Sequence, residues 1–96
     1  MRLLLSPVND PRILNITKTN DTLTINGESF DFSQLLEGAT LPKGAVDCEF
    51  IVSDINRING EIELTILLPH GANASHEARF PEPINMTSNG RVMLPI

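Results

Sequence analysis

The dipeptide Asn-Gly occurs three times in this 96-residue chain, at Asn26-Gly27, Asn59-Gly60 and Asn89-Gly90. A two-residue type I′ turn needs positive φ at both central residues, and Asn followed by Gly meets that need at the lowest steric cost. Each pair is flanked by segments rich in Ile, Leu, Val, Thr and Phe, which suit a pleated, half-buried surface. The chain therefore reads as an assembly of β-hairpins, and the register of each hairpin can be worked out from its turn.

A two-residue loop at Asn59-Gly60 sets Ile58 opposite Glu61. Counting outward pairs Ile55 with Leu64, Ser53 with Ile66 and Ile51 with Leu68. One face then carries Ile51, Ile55, Ile62, Leu64, Ile66 and Leu68, together with Ser53 and Arg57. The other carries Asp54, Asn56, Glu61, Glu63 and Thr65, the alternation of a half-buried antiparallel pair. The loop at Asn26-Gly27 likewise sets Leu23 against Phe30 and Ile25 against Glu28, with Phe32 continuing the apolar side. A further strand is expected over 13–19 with Leu14 and Ile16 inward, and a short first strand over Arg2–Leu5, ended by Pro7. The third pair would join Ile84–Thr87 to Val92–Leu94, with Met86 across from Met93, between the strand-limiting Pro83 and Pro95.

Two stretches lack strand patterning. Ser33–Ala45 holds Gln34-Leu35-Leu36-Glu37, enough for one short helical turn near 33–37 capped by Ser33 and ended by Gly38. Pro69–Pro83 reads as a long ordered loop anchored in the core by Phe80, and loops of this length often meet a partner. The expected architecture is a single all-β domain over 1–96, either a small antiparallel sandwich or a partly open barrel. Pattern alone does not choose between them.

Composition narrows the function. The net charge is −5, the seven basic residues are scattered, and there is no Trp or Tyr. Nucleic-acid binding needs clustered cations and stacking rings, so none is expected. The apolar run at Leu3-Leu4-Leu5 stops at Ser6-Pro7, short of a signal peptide, and no stretch is long enough to span a membrane. The expectation is a soluble protein of the cytoplasm with no membrane partner. The four Asn-X-Ser/Thr triplets starting at Asn15, Asn20, Asn73 and Asn85 are then incidental. Cys48 is the sole cysteine, excludes an internal disulfide, and sits between Asp47 and Glu49, which disfavour a reactive thiolate.

No nucleophile elbow, phosphate-cradling loop or productive carboxylate pair is present, so neither catalysis nor a cofactor is expected. His70, His76 and Glu77 are the only residues that suggest a metal site, and three ligands on one loop are the minimum for one. Two readings follow. The first is a non-catalytic interaction module using a sheet edge or the loop residues His70, Asn73, His76, Arg79 and Phe80. The second is a metal- or ligand-binding, enzyme-like module centred on the same loop.

The segments Thr24-Ile25-Asn26-Gly27-Glu28-Ser29-Phe30-Asp31-Phe32-Ser33, Leu67-Leu68-Pro69-His70-Gly71-Ala72-Asn73 and Arg79-Phe80-Pro81-Glu82-Pro83-Ile84 bear on that choice. In this order they resemble a family of small bacteriophage and prophage proteins encoded among tail genes. The resemblance implies a setting: a structural or assembly protein whose partners are other tail proteins or a second copy. It implies a location in the bacterial cytoplasm or in a virion assembled there, and it carries over no functional residues.

Overall fold

The computed structural model describes residues 1–95 as two β-sheets closed over one apolar core. The strands are β1 (Arg2–Asn9), β2 (Ile16–Thr19), β3 (Thr22–Ile25), β4 (Glu28–Asp31), β5 (Thr40–Leu41), β6 (Ile55–Ile58), β7 (Glu61–His70), β8 (Ile84–Asn85) and β9 (Gly90–Arg91). One sheet runs β5-β6-β7-β1-β8 and the other β4-β3-β2-β9. The fold is all-β and sandwich-like, which resolves the choice between sandwich and barrel. One four-residue helix, α1 (His76–Arg79), and a 3₁₀ turn at Lys43–Ala45 complete it.

Both sheets feed the core, with Leu3, Ile55, Leu64 and Ile66 from one and Ile16 and Leu23 from the other, each almost wholly buried. Burying one such side chain contributes roughly 1.5–3 kcal/mol, so aliphatic packing carries a fold without Trp or Tyr.

The first two Asn-Gly turns form as expected. Asn26 and Gly27 have φ of 49° and 86°, and Asn59 and Gly60 have 53° and 77°. Leu23 faces Phe30 and Ile25 faces Glu28. Ile58 faces Glu61, and the expected faces of the second hairpin hold: Ile51, Ile55, Ile62, Leu64, Ile66 and Leu68 are all buried.

Its register, however, slips further from the turn. Ile51 bridges Ile66, not Leu68, because residues 52–54 bulge out of the ladder. Val52 N–H still donates to Thr65 O (3.0 Å), and the Ser53 hydroxyl replaces a strand carbonyl by accepting from Thr65 N–H (2.8 Å). A shift of two residues preserves the inward-outward parity that a shift of one would invert, so the core face survives.

Four other expectations are corrected. The third Asn-Gly pair makes no hairpin: β8 joins β1 in one sheet and β9 joins β2 in the other. Flanked by Pro83 and Pro95, each segment is too short to pair at length and instead caps a different sheet edge. The first strand does not stop at Pro7 but runs to Asn9, and it pairs with β7 in parallel, so this sheet is mixed rather than antiparallel. Pro7 is tolerated for a geometric reason. The backbone N and O of Met1 both bond to Met86, so alternation turns the odd-numbered backbone groups of β1 toward β8. The β8 ladder ends at Leu3, so a missing N–H at Pro7 breaks no bond.

The expected strand over 13–19 starts only at Ile16, leaving Ile13 exposed and Leu14 half-buried. The short helical turn lies at Lys43–Ala45, while 33–37 forms two non-helical turns. Among the described residues no helix is long and apolar enough to cross a membrane.

Candidate interaction surface

Parallel pairing of β1 with β7 brings their C-terminal residues, Asn9 and His70, to the same end of the sandwich. The segments 10–15 and 92–95 and helix α1 gather around them. Here the chain holds apolar side chains in solvent on a backbone that is tied down. The Asn26 carboxamide donates to Ile13 O (2.9 Å) and accepts from Asn15 N–H (2.8 Å), while Asn26 N–H donates to Asn15 O (2.9 Å). Segment 13–15 is thus stapled to the first hairpin turn, yet the Ile13 side chain is 75% exposed. Val92 is buried and its N–H donates to Ile16 O (2.9 Å), while the next residue, Met93, is 80% exposed.

Ile13 and Met93 both line a cleft of about 370 Å³, together with Leu14, Leu68, Pro69 and Leu94 as well as Arg12 and Arg91. Arg12 shapes its rim. Its Nε bonds both Asp10 carboxylate oxygens, its Nη1 lies 2.8 Å from Glu49, and its guanidinium sits 4.9 Å from the Phe50 ring centre. The side-chain hydrogen bond to Arg12 holds the Asp10 carboxyl below the usual carboxylate range, and the same bond raises Arg12. A second cleft, about 440 Å³, adjoins the first at Pro69 and Pro95 and is bordered by His70, Asn73 and Ala78.

The loop residues named from sequence fall at or near this second cleft. Helix α1 forms because Ser75 caps it, its hydroxyl accepting from Ala78 N–H (3.2 Å). Arg79 Nη2 donates to Ala72 O and folds the preceding loop back on the helix. His70 lines the cleft with its Nδ1 beside Gly71 O (2.9 Å), and Asn73 stands exposed on its edge.

Phe80 corrects the expectation of a core anchor. It is 69% exposed and stacks obliquely on His76 with ring centres 5.0 Å apart. The anchor is Ala78, 1% exposed, because the capped helix turns residue 78 inward and leaves 80 at its solvent-facing end. His70, His76 and Glu77 do not converge: among the described residues no three His, Cys, Asp or Glu side chains are grouped to hold a metal ion. The ligand set behind the metal-centred reading is therefore not assembled.

Sequence reading missed Ile13 and Met93. Ile13 falls on the outward face of the strand expected over 13–19, and Met93 is expected across from Met86. The readable signal is local: apolar side chains two residues from Pro11 and Pro95, which interrupt strand pairing. No protein-family model, curated protein or solved structure matches this chain.

Proposed function

We propose that this protein is a non-catalytic structural or protein-interaction module of a bacteriophage or prophage tail. In this reading it binds another tail protein, or a second copy of itself, through the sandwich end that carries Ile13, Met93 and the two clefts. One observation carries the proposal. Ile13 and Met93 are exposed apolar side chains lining one largely apolar cleft, each held by a hydrogen-bonded backbone segment. Exposed apolar groups on a pre-ordered backbone lose little conformational entropy when covered, which suits a docking surface. The tail setting rests on the sequence resemblance.

Affinity purification from a lysogen or an infected host, paired with light scattering of the pure protein, tests the proposal. The expected result is recovery of a tail protein or a concentration-dependent oligomer, lost in the double variant Ile13→Ser/Met93→Ser. A strict monomer at high concentration that recovers no tail protein would overturn it. Equal association by the double variant would move the surface elsewhere.

A further inference from the structure

The three Asn-Gly pairs are chemically alike, but the fold protects them unequally, and from this we infer that Asn59 is the site at which the folded protein deamidates. In an Asn-Gly sequence the glycine amide nitrogen can attack the side-chain carbonyl carbon of the asparagine, since glycine offers no side chain to obstruct the approach. The N–Cγ bond forms, the Cγ–Nδ2 bond breaks, and ammonia leaves with the amide proton, giving a succinimide. Water then opens either ring carbonyl, leaving aspartate or isoaspartate. No oxidant or enzyme is needed. The step needs a carboxamide free to swing, and it is faster the more easily the turn leaves its resting geometry.

Two of the carboxamides are tied. That of Asn26 donates to Ile13 O and accepts from Asn15 N–H. The Asn89 Oδ1 accepts from Asn20 N–H (2.7 Å) and from Lys18 Nζ (3.3 Å). Reaction at either would first break contacts that join separate parts of the chain. Asn59 is exposed at a hairpin tip, and among the described residues its carboxamide has no hydrogen-bond partner.

What restrains Asn59 is its backbone. The Glu37 carboxylate accepts from Asn59 N–H (2.9 Å) and from Gly60 N–H, the nitrogen that must act as nucleophile. A carboxylate at that position disfavours loss of the Gly60 amide proton and clamps the turn, so Glu37 is a latch on the reaction. Once Asn59 becomes aspartate, its new charge stands on the same two-residue turn as the nitrogens that Glu37 binds. Isoaspartate also lengthens the backbone of that turn by one carbon. Either product loosens the latch that restrained the reaction.

Timed incubation of the intact protein at mildly alkaline pH, followed by peptide mass mapping, reads all three sites in one digest. The expected order is Asn59 first, with Asn26 and Asn89 slower in the folded protein and the differences narrowing in urea. Glu37→Gln should raise the Asn59 rate about fivefold while leaving the other two sites unchanged, the effect of weakening one charge-assisted contact. Faster reaction at Asn26 or Asn89, or none at Asn59 over the same period, would overturn the site assignment. An equal rise at all three sites in Glu37→Gln would overturn the latch, since that pattern marks general loosening.

Discussion

The two ends of the sandwich are made from similar turns and short loops but are finished differently. At one end, polar side chains tie the loops to each other. Arg57, only 14% exposed, donates to Leu35 O, Phe32 O and Gly60 O and lies 2.8 Å from Asp21, so one guanidinium joins both hairpins and the 33–38 loop. Glu37 closes the Asn59-Gly60 turn, and Asn89 closes the turn at Asn20-Asp21. At the other end the ties hold the backbone and leave apolar side chains outside, as at Ile13 and Met93. The tied end exposes Leu36 as well, so what sets the other end apart is the cleft that Ile13 and Met93 both line.

The contrast makes its sharpest prediction at Arg57. Arg57→Ala removes bonds to two partly buried carbonyls, a third exposed one and an ion pair together, and should destabilise the fold by about 3 kcal/mol in urea titration. A loss below about 1 kcal/mol would mean that the tied end is not what holds the hairpins together. Ser75→Ala removes the cap of α1 at the display end and should cost about 1 kcal/mol. Limited proteolysis should show the loss as faster cutting in 71–75, and an unchanged digestion pattern would mean that α1 is held by Ala78 packing alone. The double variant Ile13→Ser/Met93→Ser should change stability by less than about 0.5 kcal/mol, because neither side chain packs in the core. A larger loss would place those residues in the fold rather than on display.

The smallest effect is in acid. The Asp31 carboxyl is held below its usual range, first by the Ser33 backbone N–H and then by the Ser33 side chain, and Asp10 is held down by Arg12. A carboxyl with a lowered folded-state pKa stabilises the fold fully above its unfolded value of about 3.9 and loses that contribution as pH falls through the folded value. Melting temperature should therefore decline slightly below about pH 4, and less steeply in Asp31→Asn. Asp31 is exposed and Asp10 half-buried at the surface, so solvent screening keeps the effect small.

What could be read from the sequence follows the range of the interactions involved. The hairpins at Asn26-Gly27 and Asn59-Gly60 were legible because a turn dictates its neighbours' register, and Leu23 against Phe30 needs no knowledge of the rest of the chain. The signal weakened with distance from the turn, where Ser53 could replace a backbone acceptor and admit the bulge. Asn89 misled because an Asn-Gly pair can also act through its side chain. Here the carboxamide supports the turn at Asn20, which has φ of 54° without a following glycine, so the hairpin of β2 with β3 went unread. On the candidate surface, the loop holding His70 and Asn73 borders the second cleft. The roles of Phe80 and Ala78 depended on a helix of one turn, whose boundary is set by the Ser75 cap rather than by periodicity.

The parallel pairing of β1 with β7 bears on how the chain reaches this state. β1 lies beside a strand made well after it, and Leu3 cannot find Leu64 until that strand has emerged. The two Asn-Gly hairpins can close locally in the meantime, whereas the central ladder must wait for its distant half. Folding should be limited by that late closure, as expected for a topology of high contact order. Until it happens, Leu3, Leu4 and Leu5 form an uncovered apolar strand, the stretch in most need of shelter during synthesis.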